Sequence, residues 1–396
     1  MKSAISEAQR SLIVQIEPWI DGAELEQLKR VIESRFLVEH KLTREFEEMT
    51  EAFTGAKHAV AMCNGSMALF VCLKALGIGP GDEVIVPNLT FIASATSVIL
   101  AGATPVLCEV REDTFCIDVE RAEKLVTSRT KAVMPVHLYG QSADMGEVLA
   151  FADRYGLKTI EDAAEGIGVR FEGKHVGTFG DMGMLSYYGN KTVICGQGGM
   201  VLTNDDDLAR AAYRLKNYGR DTKGSYVHDR IGFNFSFTDL QAAIGIAQMK
   251  KFEAIAKKKK EIHDRYVYEL EGVKGFHPAY IDPRCSPVFW FTSFLCEERE
   301  ELASFLLQRR IETRRFFCPL HQQPCFAGQP AVRLVDDDFR ISEAVSRRGI
   351  SLPSSHSLTL EEQWLVIEEI RNFYGHTAVR NSTDCIEVSQ PSSTGG

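Results

Sequence analysis

A lysine set between two apolar runs is the first residue in this chain with the means to do chemistry. Met184 to Tyr188 is an apolar run that ends in a turn at Gly189–Asn190; Lys191 follows, and Gly196-Gln197-Gly198-Gly199 leads into a second apolar run. An ammonium with an apolar strand on either side is partly desolvated, which lowers its pKa and frees the neutral amine as a nucleophile. That is what a lysine needs to form a Schiff base with a carbonyl cofactor. A lone lysine between strands is more often a solvated loop residue, so this reading rests on what else the fold brings to the same place.

Four further groups bear on it. Asn64-Gly65-Ser66 stands where a strand gives way to a helix. Free N–H groups there, with a glycine for close approach, suit a phosphate; the same residues suit an ordinary helix cap. Phe91, in Pro87-Asn88-Leu89-Thr90-Phe91, is an aromatic that would cover a flat ring or fill the core. In Glu161-Asp162-Ala163-Ala164-Glu165 two small residues beside Asp162 leave room for a ring. A buried aspartate there needs a cationic partner, which a pyridinium nitrogen would supply, or else it is a turn or cap residue. Ser186, shortly before Lys191, would add a hydroxyl to the phosphate cup. A phosphate cup, a stacking aromatic, a carboxylate for a ring nitrogen and a reactive lysine are together the contacts of a pyridoxal 5'-phosphate site.

These groups are useful only if the chain brings them together, and the hydrophobic pattern says how. Short β-rich runs occur at His58–Cys63, Glu83–Val86, Thr104–Val110, Ala132–His137, Lys158–Glu161, Met184–Tyr188 and Met200–Thr203, with helical stretches between several of them. Seven strands with crossovers predict an α/β fold: a mostly parallel sheet with helices on both faces, a three-layer αβα arrangement. In such sheets ligands sit beyond the carboxyl ends of the strands, where each candidate falls. Asp21–Glu33 and Lys41–Phe53 read as amphipathic helices ahead of the sheet. After Asp239 one long helix is expected over Leu240–Leu270, then a strand at Ser286–Cys296 and a helix at Glu300–Arg310, a smaller α+β layer. The expected division is a cofactor-binding part over 1–250, a smaller part over 251–375 and a disordered Ser/Thr/Gly-rich tail over 376–396.

Composition narrows the partners. With 54 acidic and 45 basic residues the chain is mildly acidic, which disfavours nucleic acid or an anionic membrane surface. The ten cysteines form no CxxC pair and no zinc-ligand spacing, so no metal site is expected. No apolar run reaches membrane-spanning length and the N-terminus lacks a secretory core, so the expected location is cytoplasmic.

In these blocks and their order the chain resembles the DegT/DnrJ/StrS nucleotide-sugar aminotransferases. The likeness runs from about Ile16 to Phe373 and is carried by Asn64-Gly65-Ser66, Gly81-Asp82-Glu83-Val84-Ile85-Val86-Pro87, Gly102-Ala103-Thr104-Pro105-Val106, Pro135-Val136-His137-Leu138-Tyr139-Gly140, Glu161-Asp162-Ala163-Ala164, Gly177-Thr178-Phe179-Gly180-Asp181, Lys191, Gly232-Phe233-Asn234-Phe235 and Gln241-Ala242-Ala243-Ile244-Gly245. The resemblance implies the aspartate-aminotransferase (type I) fold and a transaminase using pyridoxal 5'-phosphate, L-glutamate and a nucleotide-linked keto-sugar. It implies that Lys191 binds the cofactor covalently and shuttles the proton, that Asp162 meets the ring nitrogen, and that Glu165 lies near the phenolic oxygen. By the same token Phe91 stacks on the ring, and Gly65, Ser66 and Ser186 hold the phosphate. Asn234 matches a residue that reaches the neighbouring subunit's phosphate, which implies a homodimer with shared sites. Arg314, Arg315 and His321 lie in the segment that meets the nucleotide-sugar in the family.

The wording Ser186-Tyr187-Tyr188-Gly189-Asn190-Lys191 with Phe233-Asn234-Phe235 is most similar to the perosamine-synthase branch, which aminates C4 of GDP-4-keto-6-deoxymannose. The chain departs from the family pattern at Gln197 (commonly Glu), at Ser236 (commonly Arg) and over Ser34–Glu39, which lacks the usual Trp/Gly/Ser pattern. Two other readings share the scaffold: a sugar dehydratase, in which the lysine is replaced, and a cofactor-binding regulatory protein. Lys191 argues against the first.

Overall fold

The computed structural model describes residues 11–221, 226–329, 331–333 and 338–375; the tail expected over 376–396 lies outside them. In chain order the first nine strands are β1 (His58–Met62), β2 (Glu83–Pro87), β3 (Thr104–Cys108), β4 (Thr130–Val133), β5 (Lys158–Asp162), β6 (Arg170–Phe171), β7 (Lys174–His175), β8 (Met182–Ser186) and β9 (Gly199–Thr203). Seven of them form one sheet in the order β1-β9-β8-β5-β4-β2-β3. The neighbours β8-β5-β4-β2-β3 are parallel, while β9 runs antiparallel between β1 and β8. The α/β reading of the sequence therefore holds. β2, β8 and β9 are buried along their whole length, as strands covered by helices on both faces must be.

Crossover helices place the strand ends. The helix Gly65–Ala75 is buried on nearly every side, from Ala68 through Leu73, so it packs within the core instead of lying on the surface. Asn64 caps it by accepting the N–H of Met67 at 2.9 Å. Further on, Ala93–Leu100 and Met145–Tyr155 return the chain after β2 and before β5.

The chain then leaves the large sheet. The expected helix over Leu240–Leu270 is two helices, Asp239–Lys250 and Phe252–Glu269, broken at Lys251. There the lysine turns back to Glu24 at 2.6 Å and Asp21 at 3.1 Å, the two acids of the capping box that starts the helix Gly22–Ser34. β10 (Phe276–Pro278), β11 (Cys285–Ser286), β12 (Thr292–Cys296), β13 (Arg314–Arg315) and β14 (Gly349–Leu352) follow. β10-β12-β14-β13 form an antiparallel sheet, and β11 joins the β6–β7 hairpin. The single strand expected over Ser286–Cys296 is thus two, joined by the buried apolar run Val288–Phe291.

Candidate active site

The carboxyl ends of β1, β2, β5 and β8 open on one side of the sheet, and the chain just beyond each one builds a pocket around Lys191. The loop after β8 is fixed by its own backbone: Lys191 N–H donates to the Tyr188 carbonyl at 2.8 Å and Cys195 N–H to the Tyr187 carbonyl at 2.8 Å. The Lys191 side chain is 12 % exposed; its ammonium lies 3.4 Å from Glu165 Oε1 and 3.6 Å from the centre of the Trp290 ring. That ring is held by its own N–H, which donates to the Asn190 carbonyl at 2.7 Å. Burial pushes the lysine pKa below its ordinary value; Glu165 and Asp162 oppose that shift, and Arg314 reinforces it.

Asp162 closes β5 and is buried. Its carboxylate accepts Ser94 Oγ–H at 2.7 Å and the Ala164 N–H at 3.1 Å. Burial pushes its pKa up, and the Ser94 hydrogen bond and Lys191 draw it part of the way back. Glu165, also raised by burial, accepts the backbone N–H of Tyr139 at 2.8 Å. Tyr139 sits at φ 53°, a left-handed conformation uncommon for a bulky residue. It is held there by that bond and by its own hydroxyl, which accepts the Phe317 N–H at 2.9 Å. Its phenol is raised by burial and by Glu165. Burial thus pushes all three groups, two acids and an amine, toward their neutral forms, as at many functional sites.

Beside it, the start of the helix Gly65–Ala75 meets the end of β8. A Cβ on Gly65 would lie 3.3 Å from Ser186 Cβ and 3.4 Å from Ser186 Oγ. Ser66 follows Gly65 in the first turn of this helix, where amide N–H groups have no intrahelical acceptor. Glycine at 65 leaves no Cβ to crowd Ser186, and two such amides beside a hydroxyl fit a phosphate. The buried carboxylate of Asp162 fits a protonated ring nitrogen, and Lys191 fits an aldehyde. The residues present therefore match pyridoxal 5'-phosphate.

The other sequence candidates fall at different distances from this centre. Phe91 lies just before the helix Ala93–Leu100 that bears Ser94, is 57 % exposed, and its ring is 5.8 Å from the Phe317 ring. Arg314 and Arg315, neighbours in β13, point opposite ways. Arg314 lies over the rings of Phe291 at 5.1 Å and Trp290 at 5.9 Å, whereas Arg315 pairs with Glu300 on the exposed side. Both ring nitrogens of His321 are engaged, by Asn88 Nδ2 at 2.8 Å and by Glu343 Oε1 at 3.0 Å. Asn234 is exposed and its side chain accepts the Ser236 N–H at 3.3 Å; it touches neither Lys191 nor Ser186 of its own chain. Gln197 is exposed as well.

Ser94, Tyr139 and Trp290 were not singled out from the sequence as site residues. Ser94 is one serine in an ordinary apolar helix. Trp290 lies far along the chain, beside a buried run, with no local sign of its partner.

This fold and this pocket are those of an aminotransferase: the chain belongs to the DegT/DnrJ/EryC1/StrS aminotransferase family, which it matches over residues 18–371. Among its relatives, it is 39 % identical over 350 residues to the GDP-perosamine synthase of Caulobacter vibrioides, covering 86 % of this chain and 93 % of that one. It is also 36 % identical over 376 residues to a pleiotropic regulatory protein of Geobacillus stearothermophilus, covering 91 % and 99 %. The fold superimposes on S. venezuelae DesV, solved in complex with a ketimine intermediate, with a TM-score of 0.84 and 34 % identity over 90 % of this chain and 95 % of that one. Among the described residues no helix is long and apolar enough to cross a membrane.

Proposed function

We propose that this protein is a pyridoxal-phosphate-dependent transaminase that moves the amino group of L-glutamate to a nucleotide-linked keto-sugar, with C4 of GDP-4-keto-6-deoxymannose as the acceptor carbon. The observation that carries the reaction class is the position of Lys191, shut between Glu165 and the Trp290 ring with Asp162 buried at the adjoining strand end. The likeness to the C. vibrioides GDP-perosamine synthase supports the choice of acceptor.

The cofactor, when bound, supplies an electron-withdrawing ring that weakens the donor's Cα–H bond and carries nitrogen from one substrate to the other. Everything else falls to the chain. Lys191, its pKa lowered by burial, is the base that takes and returns a proton at Nζ. Asp162 would keep the ring nitrogen protonated, and Ser94, by donating to it, favours its charged form and aims it. Gly65, Ser66 and Ser186 would anchor the cofactor's phosphate, Phe91 would cover its ring and Glu165 would serve its phenolic oxygen. Trp290 excludes water from the amine.

The working unit in this reading is a homodimer. Phe36, Leu37, Val38, Ile231 and Phe233 leave large apolar side chains exposed, with Asn234 adjoining Phe233. A second copy would cover such a face and receive Asn234 at its phosphate cup. The likeness to a pleiotropic regulatory protein keeps one other reading, cofactor binding without turnover.

The test is a panel of nucleotide keto-sugars incubated with holoprotein and L-glutamate, read by mass for the amino-sugar and its 2-oxoglutarate co-product. Amination of the GDP-linked 4-keto-sugar supports the proposal. Amination of another sugar alone moves the acceptor, and no amination of any supports the regulatory reading.

A further inference from the structure

We infer that Arg314 is the side chain that receives a carboxylate of the amino donor, an assignment that rests on the transaminase reading and adds to it a group for the first half-reaction. Three observations carry it. Arg314 is turned to the pocket side of β13 while its neighbour Arg315 is paired outside with Glu300. Its guanidinium lies 5.9 Å from the centre of the same Trp290 ring whose centre is 3.6 Å from Lys191 Nζ, so both cations sit within reach of one indole. Among the described residues no carboxylate is within ion-pair distance of it, whereas Arg111, Arg284 and Arg309 each have one. A partly buried guanidinium stays charged, and leaving it without a counter-ion is costly unless a ligand brings one.

The pocket's own charges say which ligand. Asp162 and Glu165 are both buried acids and offer an incoming carboxylate no counter-charge. Lys191 cannot offset this, because its nitrogen is engaged in the chemistry. Arg314 is then the cation left at this ring, and its planar fork matches the two oxygens of a carboxylate. The acceptor's diphosphate offers similar anionic oxygens, but a sugar ring separates it from the reacting carbon. A donor's α-carboxylate is bonded directly to the carbon that bears the amine, which suits a cation so near Lys191.

The two half-reactions are separable, which makes the assignment testable on holoprotein. The glutamate half is followed by the loss of the pyridoxal absorption band, and the keto-sugar half by its return from pyridoxamine-phosphate-loaded protein. With Arg314→Gln, the glutamate concentration giving half-maximal rate should rise by roughly 10- to 150-fold, the range for losing one charged hydrogen-bonded partner. The keto-sugar half should keep its concentration dependence, and a primary amine without a carboxylate should react as it does with the parent. Arg314→Lys should restore part of the glutamate affinity. Should Arg314→Gln not fold, the Arg314→Lys protein alone must still show a raised glutamate requirement. An unchanged glutamate requirement overturns the assignment, and so does a shift confined to the keto-sugar half, which would give Arg314 to the diphosphate. A parent protein that binds cofactor but does not respond to glutamate would instead sink the transaminase reading itself.

Discussion

Ser94 Oγ donates to Asp162 Oδ2 at 2.7 Å, from the helix after β2 to the end of β5, and so fixes the acid on which the charge of the ring nitrogen depends. Ser94 is also bonded to Thr90 Oγ1 at 2.9 Å, which ties the acid to the loop that presents Phe91. Ser94→Ala removes a hydrogen bond to a charged group, worth about 1.5–3 kcal/mol, and leaves Asp162 with the Ala164 amide alone. Cofactor affinity, measured by absorbance titration, should fall at least about 10-fold, while Ser94→Thr should recover much of the loss.

Asp162 should also write a signature into the pH dependence of stability. Its folded-state pKa is raised above the ordinary 3.8, so the folded apoprotein holds this proton more tightly than the unfolded chain. The contribution is fully present below the ordinary value and is lost as pH rises through the raised folded value. The melting temperature of the apoprotein minus that of apo Asp162→Asn should therefore fall across that window. A difference that is flat or rises with pH would show that the acid is not penalised by burial.

The phosphate cup has a steric test. A Cβ on Gly65 meets Ser186 at 3.3 Å and Met184 Sδ at 3.3 Å, contacts that need only a few tenths of an ångström of give. Alanine is favoured over glycine in a helix by about 1 kcal/mol at most. Gly65→Ala should thus melt near the parent temperature yet bind pyridoxal phosphate more weakly, and inorganic phosphate should protect it from heat less than it protects the parent.

Trp290 is nearly fully buried over Lys191, and its loss should be felt twice. Trp290→Ala should lower unfolding free energy by about 3–5 kcal/mol, the usual cost of deleting a buried aromatic. Water admitted to the pocket should also carry the Lys191 pKa back up, because burial is the main cause of its depression. The rate of cofactor capture, followed against pH, should then reach its half-maximum at a higher pH than in the parent.

Much of this site was legible in the sequence because its residues sit where strands stop. Lys191, Asp162, Glu165, Gly65 and Ser186 all adjoin the ends of β1, β5 and β8, and a parallel sheet delivers those ends to one place whatever the loops between them do. What was not legible depends on long-range packing. Trp290 reaches Lys191 from the buried run between β11 and β12, its N–H donating to the Asn190 carbonyl in the loop after β8. Tyr139 serves Glu165 through a backbone N–H in a left-handed conformation, which side-chain identity does not encode. The opposite facing of Arg314 and Arg315 depends on β13, a strand of only two residues, too short to leave a hydrophobic pattern. The reversed direction of β9 was invisible for a related reason: a buried apolar strand reads the same whichever way it runs. The break at Lys251 is likewise tertiary, set by two acids near the start of the chain.

One measurement goes straight to the amine. Protein loaded with pyridoxal phosphate, reduced with borohydride, digested and weighed should carry the pyridoxyl mass on the peptide containing Lys191; Lys191→Ala should lose it, and glutamate added before the reductant should deplete it. A pyridoxyl group on any other lysine, or none on this one, would contradict the account.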